Sequence, residues 1–224
     1  MATTKNALVF LLLAALPLAA LSSRAGPSTH HTHTHGPKPK HTHPSPPPSS
    51  PPPAAAAPPT PAAALVRATC NSTTYPDLCV SALGADPSSA TADVRGLSAI
   101  AVSAAAANAS GAAATAAALA NGTAPEAAAN SGDATVQALL RTCAAKYGAA
   151  RDALAAARES IAAQDFDFAA VHVSAAAEYP QVCKTLFRRQ RPGQYPAELA
   201  AREEALDHLC SVALDIIALV SSTS

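Results

Sequence analysis

Proline and alanine are segregated along this chain, and the segregation decides which part can pack. Of its 20 prolines, 13 fall between Pro27 and Pro61. At that density proline removes backbone donors and excludes helix and sheet interiors. Of its 60 alanines, 23 fall between Ala101 and Ala150, and alanine is the best helix former. All 15 carboxylates lie from Asp77 onward. The 224 residues therefore read as one packing domain behind an unpacked arm, not as two domains. With no Trp, four Phe and four Tyr, a thick sandwich or barrel core is excluded. The expectation is a slender all-α domain, because a buried methyl contributes far less than a leucine side chain.

Residues 1–25 read as a secretory signal peptide. Lys5 supplies the positive end, Ala7 to Leu21 is an apolar run of 15 residues, and Ser23-Arg24-Ala25 is a small-x-small cleavage site. The run is short for a bilayer span, so the expectation is a secreted, extracellular protein with no membrane attachment after cleavage. Residues 26–64 read as a disordered His/Pro-rich linker. Ser45 and Ser50 each precede a proline triplet, a pattern that favours polyproline II and resembles extensin-type segments of plant cell walls. Before the triplets stand His30, His31, His33, His35, His41 and His43. Alternating imidazoles are candidate ligands for copper, nickel or zinc, but the tract is read first as a solvated tail. No cofactor is expected. Histidine titrates near pH 6.5, so the arm becomes cationic in acid, and anionic wall polysaccharide is a possible partner.

From residue 65 to 224 the pattern is helical. Two short helices are expected over 65–72 and 76–83, the second opened by Pro76. Asp86-Pro87 breaks the chain. An alanine-rich helix follows over 92–120, with the stripe Leu97, Ile100, Ala104, Ala107, Gly111, Ala114 and Ala118, and it ends at Asn121-Gly122. The next helix carries Val136, Leu140, Cys143, Tyr147, Ala150, Leu154, Ala157 and Ile161 in strict 4-3 alternation, the seam of left-handed helix packing. After a turn near Gln164, capped by Asp165 or Asp167, comes a helix with Phe168, Val171, Ala175, Tyr179, Val182 and Leu186, kinked or broken at Pro180. Residues 191–196 break the chain again. The last helix places Leu199, Leu206, Leu209, Ala213, Ile216 and Val220 on one seam. Four long helices with an N-terminal helical hairpin predict an up-down-up-down four-helix bundle.

The bundle register orders the cysteines. Cys70 and Cys79 flank the hairpin turn, and closing that ring pins it. Cys143 stands 21 residues before Gln164 and Cys183 stands 19 after it. At about 1.5 Å per residue the mismatch along antiparallel helices is about 3 Å, within reach of a bridge. About Pro192, Cys183 stands nine residues before and Cys210 18 after, a mismatch of about 13 Å. The expected pairs are Cys70–Cys79 and Cys143–Cys183, with Cys210 a free thiol. Sequons at Asn71, Asn108 and Asn121 are candidate N-glycosylation sites, the mid-helix Asn108 being the least suited to an exposed turn.

The cysteine frame with its flanks resembles the plant invertase and pectin methylesterase inhibitor family. The residues are Cys70-Asn71-Ser72-Thr73-Thr74-Tyr75-Pro76-Asp77-Leu78-Cys79, then Leu139-Leu140-Arg141-Thr142-Cys143 with Tyr147, then Ser174-Ala175-Ala176 ahead of Cys183. Leu83-Gly84-Ala85-Asp86-Pro87 is similar to the branch often called invertase inhibitors. The resemblance spans about residues 65–222 and implies the same bundle, hairpin and disulfides. It also implies stoichiometric, non-covalent inhibition of a carbohydrate-active enzyme, pectin methylesterase or acid invertase, in the cell wall or vacuole. The Pro-Lys-Phe tripeptide of some invertase inhibitors is absent, with Pro192-Gly193-Gln194-Tyr195 in its place.

The residues carry no catalytic constellation. His172 and His208 stand apart in helices. Asp165 and Asp167 read as helix capping before acid-base chemistry. The domain holds 11 basic and 15 acidic residues, which argues against nucleic acid. Lys184, Arg188, Arg189 and Arg191 sit near a helix C-terminus, where the macrodipole favours cations. The expected role is thus a protein partner of a wall enzyme, and Asp152, Glu159, Asp167 and Glu178 are the candidate contacts. The alternative is a structural wall glycoprotein held by its arm.

Overall fold

A computed structural model describes residues 60–124 and 133–222. The signal peptide, the His/Pro-rich arm with its six histidines, and the extensin-like triplets lie outside the described residues. Six α-helices form: α1 (Pro61–Cys70), α2 (Pro76–Gly84), α3 (Val94–Ala120), α4 (Ala134–Ala162), α5 (Phe166–Gln190) and α6 (Ala197–Ser221). Among the described residues there is no strand.

Short polar side chains set most of the helix starts. The Thr60 hydroxyl accepts the Ala63 N–H at 3.3 Å and Pro61 takes the first helical position, so α1 begins four residues before the expected start at 65. Asp93, Asp133 and Asp165 cap α3, α4 and α5 through backbone N–H groups. Asp165, not Asp167, is therefore the α5 cap. Asp86 caps a 3₁₀ turn at Pro87–Ala90, where the chain was expected to break.

Each long helix packs against the next, and α6 returns beside α3, closing a four-membered ring. The hairpin α1–α2, closed by the Cys70–Cys79 disulfide, packs against α3 and α6. It is held there by the Thr74 N–H donating to Asp215 Oδ2 at 2.7 Å and by Tyr75 stacked on His208 at 4.1 Å. This is the all-α bundle with an N-terminal hairpin that the sequence predicts. By length and composition α3 would suit a membrane span, but its inner face is buried in the bundle.

The seams of α4 and α6 are buried as expected. Those of α3 and α5 are corrected. On α3 the buried line continues through Ala101, Ala105, Ala109, Ala112, Ala116 and Leu119, while Ala107 and Ala114 are exposed. Methyl groups on every face leave no contrast from which to read a phase. On α5 the buried line is Phe166, Ala169, Val173, Ala176, Pro180, Cys183 and Phe187. The expected stripe lies outside, with Phe168 60% and Val171 61% exposed. Cys183 fixes this phase, because its disulfide to Cys143 on the α4 seam turns that face inward. The expected break at Pro180 does not occur. Pro180 sits on the buried line of a continuous helix, and packing of the flanking turns outweighs the one backbone bond that proline removes.

Two helices end in the same way. At α3, Gly122 N–H donates to Leu119 O and Thr123 N–H to Ala118 O. At α4, Gln164 N–H donates to Ile161 O and Asp165 N–H to Ser160 O. Both are Schellman motifs, which need a left-handed residue. Gly122 takes φ +73 freely, whereas Gln164 holds φ +61 with a side chain. Gln164→Gly should stabilise the protein by about 0.5–1 kcal/mol. A urea midpoint above wild type, with none for Gln164→Ala, checks it.

A polar node joins α4, α5 and α6. The Tyr195 hydroxyl donates to Glu203 Oε2 at 2.8 Å, and Tyr147 donates to the Leu199 carbonyl at 3.3 Å with its oxygen 3.4 Å from that of Tyr195. Lys184 Nζ lies 3.4 Å from Glu203 Oε1, and Glu203 is 4% exposed. Desolvation above all pushes the Tyr147 hydroxyl up to about 12, and burial with its Tyr147 and Glu203 neighbours also raises Tyr195. Both phenols are therefore neutral donors.

At the same end of the bundle Arg191, just past α5, binds the α4 cap, with Nε 2.9 Å from Asp133 Oδ2. The Arg191 hydrogen bond, aided by the Thr135 and Val136 amides, holds the Asp133 carboxyl down to about 2 from 3.8. A depressed carboxylate stabilises the fold above its unfolded value and loses that contribution as pH falls through its folded one. Wild type should therefore be more stable than Asp133→Asn at pH 5, and the gap should close between about pH 4 and pH 2. Thermal melts of both proteins across that range test this.

Candidate docking face

Because Cys183 turns one apolar line of α5 inward, the second line is left on the surface. Phe168, Val171 and Val182 are exposed, and Ala175, Tyr179 and Leu186 are half-buried beside them. Their 3-4 spacing places them on one ridge of the helix. Two shallow depressions accompany the ridge. One lies between Glu159 and Ser160 of α4, the α4 C-cap Ala163, and Phe168 and His172 of α5. The other is lined by Glu178, Tyr179, Val182, Leu186 and Arg189, and Lys146 Nζ stands 5.9 Å from the Tyr179 ring centroid. Exposed aromatic and β-branched side chains in one row, rimmed by charge, suit contact with another macromolecule.

The sequence-predicted contacts divide around this face. Glu159 and Glu178 border the two depressions. Asp152 is two turns before Glu159 on α4, and its carboxylate is engaged by Arg151 at 2.7 Å. Asp167 turns to the other flank, beside Ser221 at the end of α6. The apolar centre of the face, Phe168, Val171 and Val182, was expected in the core, and the register of Cys183 is the signal that places it outside. Of the basic cluster, Arg191 and Lys184 are taken up by Asp133 and Glu203, while Arg188 and Arg189 stay exposed on α5.

Elsewhere the titratable groups are occupied with structure. Cys210 is free and buried, and desolvation pushes its thiol up to about 12, which leaves it protonated and unreactive near neutrality. His208 is committed to the Tyr75 stack. Among the described residues no cluster of three or more His, Cys, Asp or Glu is placed to hold a metal ion. What the arrangement offers is a surface for docking on a rigid helical body.

Residues 64–216 match the family model for plant invertase/pectin methylesterase inhibitor. The chain belongs to that family and is not itself an enzyme. It is 70% identical over 217 residues to Pectinesterase inhibitor 28 of Oryza sativa subsp. japonica, covering 97% of this chain and 92% of that protein. It is 36% identical over 153 residues to Cell wall / vacuolar inhibitor of fructosidase 2 of Arabidopsis thaliana, covering 68% of this chain and 81% of that protein. The fold is similar to the crystal structure of a mutant form of a pectin methylesterase inhibitor from Arabidopsis, with a TM-score of 0.51 and 22% identity over 67% of this chain and 93% of that one.

Proposed function

We propose that this protein is a secreted inhibitor of pectin methylesterase that acts in the cell wall and docks through the outer face of α5 with the adjoining ridge of α4. The observation that carries the choice of target is the 70% identity to Pectinesterase inhibitor 28, which extends over 97% of the chain. The 36% identity to an inhibitor of fructosidase supports acid invertase as the second reading. Phe168, Val171 and Val182 form the apolar centre of the contact, and Glu159 and Glu178 on its border give orientation. Asp152 and Asp167 stand at the edges of the same surface. Burying a row of this kind inside a standard interface of about 1,600 Å² supplies the desolvated centre on which affinity concentrates.

The test is titration of the full secreted protein against purified pectin methylesterase and, separately, acid invertase. The expected result is inhibition of the esterase that saturates near one inhibitor per enzyme, with no effect on invertase. Phe168→Asp and Val171→Asp should each weaken inhibition by about 30-fold or more while leaving the melting temperature near that of wild type, since both side chains are already in water. Invertase inhibition without esterase inhibition would select the second reading. Retention of full potency by both variants would move the docking face elsewhere. Removing residues 27–59, which spares the Thr60 cap of α1, should leave inhibition in solution intact and lower retention on pectin below about pH 6, where the histidines carry charge.

A further inference from the structure

The three sequons occupy different structural settings, and the difference separates two of them. Asn108 lies in the middle of α3, half-buried, and its Oδ1 is wholly buried without a hydrogen-bond partner. It belongs to the row Asn108, Gly111 and Thr115, spaced three and four residues apart on one side of α3. That row faces α6. Thr115 Oγ1 donates to Glu198 Oε1 at 3.1 Å, and a Cβ at Gly111 would stand 2.8 Å from Arg202 Nη1. Asn108 therefore sits in mid-helix on the side of α3 that packs against α6, not at an exposed turn.

Asn121 is placed differently. It is the C-cap of α3 and exposed, and Gly122 at φ +73 turns the chain immediately after it. Thr123, the hydroxyl residue of the sequon, is exposed as well, with its backbone N–H 3.0 Å and its hydroxyl 3.2 Å from Ala118 O. Both residues that the glycosylation machinery must reach therefore stand in water at a turn, the setting that N-linked glycans require.

Timing reinforces the geometry. Oligosaccharide transfer acts on the emerging chain, and chains emerge at about 5–20 residues per second. Helices form within about a microsecond. A segment as rich in alanine as Val94–Ala120 samples helix as soon as it is free, which keeps Asn108 inside helical backbone, whereas Asn121 lies where the helix must stop.

We infer that Asn121 carries an N-linked oligosaccharide and that Asn108 does not. The inference rests on the secretory reading of residues 1–25 and is independent of which enzyme is inhibited. A glycan there stands at the bundle end that holds the C-terminus of α3, remote from Phe168 near the Gln164 turn, so it leaves the N-terminal half of the docking face clear.

The full chain expressed in plant cells and collected from the medium provides the test. Collection from the medium makes failure of secretion visible as missing protein, not as an unmodified site. Trypsin leaves Asn108 and Asn121 in one peptide, between Arg95 and Arg141, so chymotryptic cleavage after Leu119 is used to part them. Enzymatic deglycosylation in heavy-oxygen water then marks each occupied asparagine as labelled aspartate. The expected result is label at Asn121 and none at Asn108. In parallel, Asn121→Gln should lose one glycan-sized step in gel mobility, and Asn108→Gln should keep the wild-type mobility. Unlabelled Asn121 throughout the secreted protein, or label at Asn108, would overturn the inference.

Discussion

Replacing Cys143 and Cys183 together by alanine should lower the melting temperature by about 10 °C. The bridge closes a loop with a sequence separation of 40. Freeing that loop in the unfolded chain costs about 4 kcal/mol on the chain-entropy account. For a domain of this size the unfolding entropy converts each kcal/mol into about 3 °C. The effect is large relative to the core. The inner face of α3 is mostly methyl groups, Ala101, Ala105, Ala109, Ala112 and Ala116 among them, and each contributes only a fraction of what a leucine would. Calorimetry of the oxidised wild type and the double variant decides the matter, and a shift of less than about 3 °C would show that packing alone sustains the bundle. The Cys70–Cys79 ring, with a separation of nine, constrains the unfolded chain less, and its removal should loosen the hairpin before the ring of four.

The second large effect is expected at Glu203. Its carboxylate is buried, with one oxygen accepting from Tyr195 and the other beside the Lys184 ammonium. Glu203→Ala leaves the Tyr195 hydroxyl without its acceptor in a desolvated site and opens a cavity beneath the connection between α5 and α6. Loss of a charge-assisted hydrogen bond and of the buried side chain together cost about 3 kcal/mol. Glu203→Gln keeps an acceptor for Tyr195 and loses only the ion pair, so it should cost about 1 kcal/mol, since Lys184 is half exposed and solvent weakens the attraction. Equal losses in the two variants, measured by urea unfolding, would assign the effect to side-chain shape and not to the hydrogen bond.

How far this fold is legible in the sequence depends on contrast within each helix. The α4 seam from Val136 to Ile161 can be read because its large residues recur on one line only. The α6 seam is legible for the same reason, although Glu203 hides inside it, and nothing in a single sequence marks a carboxylate whose acceptor role depends on a tyrosine eight residues earlier. On α3 alanine covers every face, so the helix is evident and its phase is not. On α5 two apolar lines run side by side, and the line with the larger side chains is the outer one. The candidate docking face is therefore hidden in the sequence by its own resemblance to a core. The disulfide partner of Cys143 holds the information needed to choose between the two lines, because a bridged cysteine and the residues three and four positions from it must share the inward side.

The cross-links among the four long helices are unevenly distributed. The Cys143–Cys183 bridge, the Tyr195–Glu203 contact, the Arg191–Asp133 pair and the Thr115–Glu198 bond all lie toward the end where α5 gives way to α6. The opposite end of the α4–α5 pair is closed by a single tight turn with a left-handed glutamine. Subglobal opening follows the lowest local free energy, so native-state hydrogen exchange should show amides near Ile161 and Phe166 exchanging sooner than those around Tyr147. Phe168, two residues past Phe166 on α5, stands exposed at the end that carries fewer of these cross-links.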